Sequence, residues 1–556
     1  MSQLKKFEED HISLNNNLRK HRLVKNLKVK WQHNKTHKRQ QKTGKMTVLL
    51  WNSMLYFLPE DKGVPKAPLS FLFRGGAAMH EECGVFGIWS PVKKDLPQIV
   101  YLGLYALQHR GQESCGIAVS CNGVFHSFKG YGMVGETFDR QSMERLGHGN
   151  IAVGHVRYST TGGNDRNNIQ PIVIRHMKGN LALSHNGNLV NAGSLRTRHE
   201  LNGAIFHGSA DTETIIYTIV EERLKTSSTE EAVFRTMKQL QGAYSCVLMT
   251  ATKLIAFRDP NGFRPLCFGK TADGTWIVSS ESCALDAAGA KLIRDIEPGE
   301  IVVFGRNGIV SDRRLCGGRA SLCVFEYIYF ARPDSIIEGS SVHLARLRAG
   351  HYLAKESPGE ADVVIGVPDS GMDAALGYSQ ESGIPYGVGF LKNKYVGRSF
   401  IAPTQDMRET AVRIKLNVIR ETVQGKRVVL IDDSIVRGTT SERIVRLLRE
   451  AGAREVHMRI SSPPFRYPCF FGTDVDSQEN LVACRLHSVK EIGKEIGADS
   501  LAYLSINAVH RLTGENCSFC DGCFTGSYPI PIPEDQGKSK FEQPIAEEES
   551  DEEEMR

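Results

Sequence analysis

Residues 429–440 read Val-Leu-Ile-Asp-Asp-Ser-Ile-Val-Arg-Gly-Thr-Thr. An apolar run ends on two carboxylates, Asp432 and Asp433. The turn Ser434–Thr440, which contains Arg437, Gly438, Thr439 and Thr440, then opens a helix. Open parallel sheets bind ligands beyond the carboxyl ends of their strands. Backbone N–H groups at a helix start, beside a glycine and hydroxyls, can cradle a phosphate. Adjacent carboxylates suit ribose hydroxyls, or a Mg²⁺ carried by a pyrophosphate. A strand end with an Asp helix cap would be the plainer reading. It leaves the second acid, the glycine and the paired threonines without a purpose.

The flanking sequence repeats the same cycle. Val363–Val367 reads as a strand, Pro368-Asp-Ser-Gly as a loop, residues 372–382 as a helix and Tyr386–Leu391 as another strand. Arg427–Ile431, a helix over 440–451 and a strand at Glu455–Ile460 follow. Continuous apolar strands joined by helices predict a parallel, doubly wound α/β sheet. Upstream, from Cys83 to about residue 315, short apolar runs alternate with Gly-rich turns, and helices interrupt them near 97–108 and 211–224. That texture predicts a layered α+β domain.

The chain has 556 residues, 41% hydrophobic and 24% charged. Those proportions exclude collagenous, wholly disordered and small disulfide-stapled proteins. No stretch approaches the ~20 apolar residues of a spanning helix, so no membrane partner is expected. The net charge of +6 is uneven: residues 1–78 carry +11, residues 547–556 carry −6, and the remainder only +1. The body therefore lacks a basic field for nucleic acid. Thirteen scattered cysteines suggest a reduced, cytoplasmic chain. Residues 1–82 read as a leader or propeptide, either disordered or removed, and 531–556 as an acidic disordered tail.

Segment 429–440 resembles the phosphoribosyl pyrophosphate loop of type I phosphoribosyltransferases. The resemblance implies a mobile basic flap, matched by Lys392-Asn-Lys-Tyr395-Val-Gly-Arg-Ser-Phe and by Arg413-Ile-Lys415. Upstream, Cys83-Gly-Val-Phe-Gly, His109-Arg-Gly-Gln, Gly154-His-Val-Arg-Tyr-Ser-Thr, Ser184-His-Asn-Gly-Asn and Ala210-Asp-Thr-Glu fall in order. They resemble the class II glutamine amidotransferases, which are N-terminal nucleophile hydrolases. If Cys83 becomes residue one, its own α-amine, titrating near ~8, can act as base for the thiol. The resemblance implies that Arg157 clamps the glutamine carboxylate and Asp211 holds its α-amine. It also implies an oxyanion hole from Asn186 and Gly187. For His109, Arg110, His155 and His185, positioning or core roles fit as well as catalytic ones.

Together the two parts resemble the amidophosphoribosyltransferase family over about Glu82 to Pro529. The junctions Phe325-Glu-Tyr-Ile-Tyr-Phe-Ala-Arg-Pro-Asp-Ser and Arg258-Asp-Pro-Asn-Gly-Phe-Arg-Pro-Leu match as well. The implied fold is an N-terminal nucleophile hydrolase αββα sandwich at 83–315. A phosphoribosyltransferase α/β sheet with a C-terminal cluster-binding segment would follow at 316–530. The implied reaction uses glutamine and phosphoribosyl pyrophosphate to give 5-phosphoribosylamine, glutamate and pyrophosphate, the first step of de novo purine synthesis. Phosphoribosyl pyrophosphate is expected on Asp432, Asp433, Ser434, Arg437, Gly438, Thr439, Thr440, Lys392, Tyr395 and Lys415. Mg²⁺ is expected by Ser370, Asp432 and Asp433. Cys520-x-x-Cys523 brings two thiolates to one centre, and the resemblance adds Cys323 and Cys469. Such a set suits Zn²⁺ or [4Fe–4S], and spacing does not choose between them. The iron–sulfur branch of the family implies [4Fe–4S]; Cys517 offers a second C-x-x-C register with Cys520. The family further implies purine-nucleotide inhibitors and a homotetramer. A hexosamine-phosphate synthase would lack the acid-pair loop. A non-catalytic phosphoribosyl pyrophosphate sensor would not need Arg157, Asn186 or Asp211.

Overall fold

The computed structural model describes residues 49–51, 54–56, 83–158, 165–393, 416–473, 475, 477–514 and 518–532. The chain divides into two compact units, residues 1–75 and 76–556. In the first, Leu49–Trp51 pairs antiparallel with Met54–Tyr56.

Two antiparallel sheets fill residues 84–312, one of seven strands and one of six. Their shared interior holds Val85 and Trp89 from Gly84–Lys94, Val153 from Gly149–Arg157, Val247 and Met249 from Gly242–Met249, and Phe304 from Ile301–Gly305. The opposite faces are covered by helices. Phe86 and Ile88 turn outward onto Val100 and Leu104 of the helix Leu96–Ala106. Leu183, Leu248 and Ile255 meet Ile215, Ile216 and Ile219 of the helix Asp211–Lys225. Alternate residues thus serve two different cores, which is why these strands read as continuous apolar runs. The result is an αββα sandwich.

The later part of the chain forms a four-stranded parallel sheet in the order Val363–Gly366, Arg427–Asp432, Glu455–Ile460, Ser500–Tyr503. Val429 and Ile431 face the core that contains Ala345, Ala349 and Tyr378, from the helices Val342–Glu356 and Gly371–Ser382. Val428 and Leu430 face Ile444, Val445 and Leu448 of the helix Thr439–Glu450. Those three residues recur at three- and four-residue spacing, one face of an amphipathic helix.

The expected strand at Tyr386–Leu391 differs. Tyr386 makes a single parallel bridge to Val364, and Phe390–Lys392 pairs instead with Leu416–Val418. A Cβ on Gly389 would come within 2.5 Å of the Ile365 side chain. The segment therefore runs against the edge of the sheet without forming a ladder. Joining the two halves is a short helical segment of π-type geometry, Glu326–Phe330. Among the described residues no helix is long and apolar enough to cross a membrane.

Candidate active sites

Cys83 lies immediately before the strand Gly84–Lys94, whose pairing with Gly149–Arg157 begins at Gly84 and Val156. This register sets Cys83 beside Arg157 and Tyr158, and its Sγ donates to the Tyr158 carbonyl at 3.6 Å. Arg157 is buried at the end of its strand. The second sheet contributes Asn186 and Gly187, which oppose Ser245 and Tyr244. The two sheets are tied here by His155, whose Nε2 sits 2.9 Å from the His185 carbonyl. Burial drops the His155 pKa to about 3, so the ring is neutral and Nε2 carries the donated proton.

Gly187 has φ +139°, and a Cβ there would meet the Ala243 carbonyl oxygen at 2.1 Å. Only glycine fits that close approach. Next to it, the buried Asn186 Nδ2 has no hydrogen-bond partner among the described residues. An orphaned amide donor is costly unless something outside the chain accepts from it, and a developing oxyanion is such an acceptor. Asp211 opens the helix Asp211–Lys225. It accepts from the Leu189 N–H at 3.0 Å and lies 3.4 Å from His185 Nδ1. Burial raises its pKa, but His185 and these hydrogen bonds outweigh that and hold the carboxyl below its ordinary value. It is therefore a carboxylate, as an ammonium partner requires. All five sequence-derived glutamine-site residues fall on these adjoining strand and helix ends.

At the second site Asp432 ends the central strand, and both Asp432 and Asp433 are buried. The Asp433 N–H donates to Asp432 Oδ1 at 2.9 Å, and the hydroxyls of Ser370 and Ser434 both donate to the Asp433 carboxylate. Burial first, and then the like charge of Asp433, push the Asp432 pKa well up. Asp433 is raised by burial and partly restored by its two serines. Such a pair is poised for a cation. The Ser370 loop lies against the strand end: a Cβ on Gly371 would be 2.5 Å from the Ile431 carbonyl oxygen. Gly438, at φ +91°, precedes the helix Thr439–Glu450. Lys392 forms an ion pair with Asp369 on the same loop. Tyr395 and Lys415 lie outside the described residues.

A family model for a glutamine amidotransferase domain matches residues 155–287, and one for a phosphoribosyl transferase domain matches 340–461. The amidophosphoribosyltransferase of Bacillus subtilis is 48% identical over 463 residues, covering 82% of this chain and 96% of the relative. That of Archaeoglobus fulgidus is 48% identical over 81% of this chain and 98% of its own. The chain belongs to the amidophosphoribosyltransferase family. A solved structure of the Bacillus subtilis glutamine phosphoribosylpyrophosphate amidotransferase, complexed with ADP and GMP, is 47% identical. It superposes with TM-score 0.76 over 82% of this chain and 99% of its own.

A third constellation in this amidophosphoribosyltransferase is the thiol pocket. Cys323, Cys469, Cys520 and Cys523 line one small pocket walled by Phe263, Phe325, Phe465 and Phe471. Leu322–Cys323 pairs in parallel with Phe519–Cys520, so two of the thiols sit side by side. The Phe471 N–H donates to Cys469 Sγ at 3.4 Å. Burial pushes the Cys520 thiol up to about 12 and Cys523 well above the ordinary thiol range. Among the described residues no three His, Cys, Asp or Glu groups are arranged to hold a single ion. Four soft donors around a common apolar pocket fit a larger thiolate-bound group. Cys517 lies outside the described residues.

Sequence reasoning missed three supporting side chains. Asn188 Nδ2 donates to the Phe470 carbonyl at 2.9 Å. Arg264 donates to the Phe471 carbonyl at 3.0 and 2.6 Å. Glu281 holds His109 and Arg110. Their partners are more than 150 residues away, a separation no local pattern reveals.

Proposed function

We propose that this amidophosphoribosyltransferase divides its reaction between the two sites as follows. With the leader gone, the Cys83 thiol attacks the side-chain carbonyl carbon of glutamine while the Cys83 α-amine accepts the thiol proton. Asn186 Nδ2 and the Gly187 N–H stabilise the oxyanion. The C–N bond breaks, the amine returns the proton, and ammonia leaves. Water then hydrolyses the thioester to glutamate. Arg157 and Asp211 hold the two ends of the glutamine backbone, a bidentate task for the guanidinium.

Ammonia must reach the second site unprotonated, which requires a dry route. The junction supplies buried aromatic packing for one: Phe325 lies 5.0 Å from Phe330 and 5.4 Å from Phe465, centroid to centroid. Ammonia attacks C1 of phosphoribosyl pyrophosphate, the C1–O bond breaks, and the departing pyrophosphate takes the proton that the new ammonium sheds, leaving 5-phosphoribosylamine. Asp432 and Asp433 grip the ribose. Ser434, Arg437, Gly438, Thr439 and Thr440 hold the 5-phosphate, and Lys392, Tyr395 and Lys415 close over the pyrophosphate. Mg²⁺, held on the side of Ser370 and the acid pair, would neutralise charge on the leaving group. Cys323, Cys469, Cys520 and Cys523 would hold a [4Fe–4S] cluster of structural role, as no step here moves an electron. Purine nucleotides as inhibitors, a homotetramer and a cytoplasmic location complete the reading.

The observation that carries it is the orphaned Asn186 amide beside Gly187, in one compact unit with the acid-pair loop. A sensor of phosphoribosyl pyrophosphate has no use for that amide. The test is to follow product formation with glutamine and then with ammonium salts. Asn186→Ala is expected to lower the glutamine-driven rate by about 10²–10³-fold and to leave the ammonia-driven rate intact. An equal fall in both would refute the division.

A further inference from the structure

A buried ion network crosses from the acceptor half of the chain to the glutamine nucleophile, and the steps above give it no part. Arg110 Nε donates to the Cys83 carbonyl at 3.2 Å. Its Nη1 donates to Glu281 at 2.5 Å, and its Nη2 to both oxygens of Glu326 at 2.7 and 2.9 Å. The side chains of Arg110, Glu281 and Glu326 are all wholly inaccessible. Glu281 belongs to the sandwich. Glu326 opens the junction segment Glu326–Phe330, which is pinned from its far side by Arg346. That guanidinium donates to the carbonyls of Tyr327, Tyr329 and Ala331 at 2.8, 3.0 and 2.7 Å.

A guanidinium gripped through its terminal nitrogens has a fixed plane, so the direction of its Nε–H is fixed as well. Here that direction points at Cys83. The nucleophile needs such a hold, because its strand pairing begins only at Gly84. Any tilt of the Cys83 peptide would swing Sγ away from the substrate carbon.

We propose that Glu326 is a positioning residue for glutamine cleavage. By clamping Arg110 it sets the Cys83 carbonyl and hence the line of attack, so the glutamine site is incomplete without the acceptor half. The inference rests on Cys83 being the nucleophile. Substrate grip belongs to Arg157 and Asp211, so the effect falls on turnover.

The experiment compares Glu326→Gln, Glu326→Asp and Cys83→Ala in the full chain, with glutamine and with ammonium salts. Glu326→Gln should lower kcat with glutamine by about 10–100-fold, the scale of a small misplacement of reacting groups. KM for glutamine and the ammonia-driven rate should stay within about twofold. Glu326→Asp should recover part of the loss. The ammonia-driven rate doubles as the folding control. A parallel fall in both activities, a rise in KM alone, or full glutamine activity in Glu326→Gln would each overturn the inference. Cys83→Ala separates the two readings. If it keeps glutamine-driven turnover, the nucleophile is wrongly assigned. If it loses that turnover while Glu326→Gln does not, only the role of Glu326 falls.

Discussion

At the scale of single residues, both sites are built from groups held in states the isolated side chain would avoid. Asp432 shows this most directly. Its raised pKa means that the folded chain pays for a charge it would rather lose. A carboxyl raised in the fold destabilises it above the ordinary carboxylate range near ~3.9, and the penalty fades as pH falls through the folded value. Asp432→Asn keeps an oxygen to accept the Asp433 N–H and removes the charge. It should raise the melting temperature of the ligand-free protein at pH 7 by a few degrees, with the gain shrinking toward pH 4. Synthesis with either nitrogen source should be lost. Thermal melts across pH check the sign, and a lower melting temperature at pH 7 would contradict the account. Gly187→Ala is the counterpart in the sandwich. The new methyl group would lie 2.1 Å from a backbone oxygen that cannot easily yield. Glutamine-driven turnover should vanish while ammonia-driven turnover persists.

At the scale of elements, what was legible in the sequence was whatever repeats locally. The strand Arg427–Asp432 and the helix Thr439–Glu450 announce themselves by an apolar run and by three- and four-residue spacing. So do the helices predicted near 97–108, 211–224 and 372–382, which form at Leu96–Ala106, Asp211–Lys225 and Gly371–Ser382. Tyr386–Leu391 has the composition of a strand too. Yet its glycines serve close approach, Gly389 to Ile365 and Gly387 to Val363 and Thr422, instead of a ladder, and composition does not distinguish those uses. The candidate-site residues stand at element ends inside recognisable motifs, whereas the side chains that brace them have partners far along the chain. Gly371→Ala tests an element-scale claim. Its methyl group should lever the Ser370 loop from the strand end, lowering turnover with both nitrogen sources and raising KM for phosphoribosyl pyrophosphate. An unchanged KM would show that the loop does not set that site.

At the scale of the whole molecule, the thiol pocket and the strand end that carries Asn186 and Gly187 share a wall. The segment that carries Cys469 also offers its Phe470 carbonyl to Asn188, and Gly472 lies against Gly187. Cys523→Ser, purified without oxygen, should contain little iron and lack visible absorbance. It should also melt at a lower temperature, because bound metal contributes folding free energy. An iron content equal to that of the wild type would remove Cys523 from the ligand set.

The clamp on Arg110 has a consequence for how such a chain can change over generations. Two catalytic halves joined end to end look like parts that recombination could exchange freely. A glutamine-cleaving half moved onto a different acceptor would carry two buried arginines, Arg110 and Arg264, with Glu281 but without the Glu326 that faces them both, and an uncompensated buried charge is among the costliest defects a fold can bear. Only acceptors that bring a glutamate to the same point in space are compatible donors. The repertoire of viable fusions is thus filtered by a single carboxylate before any selection on substrate begins.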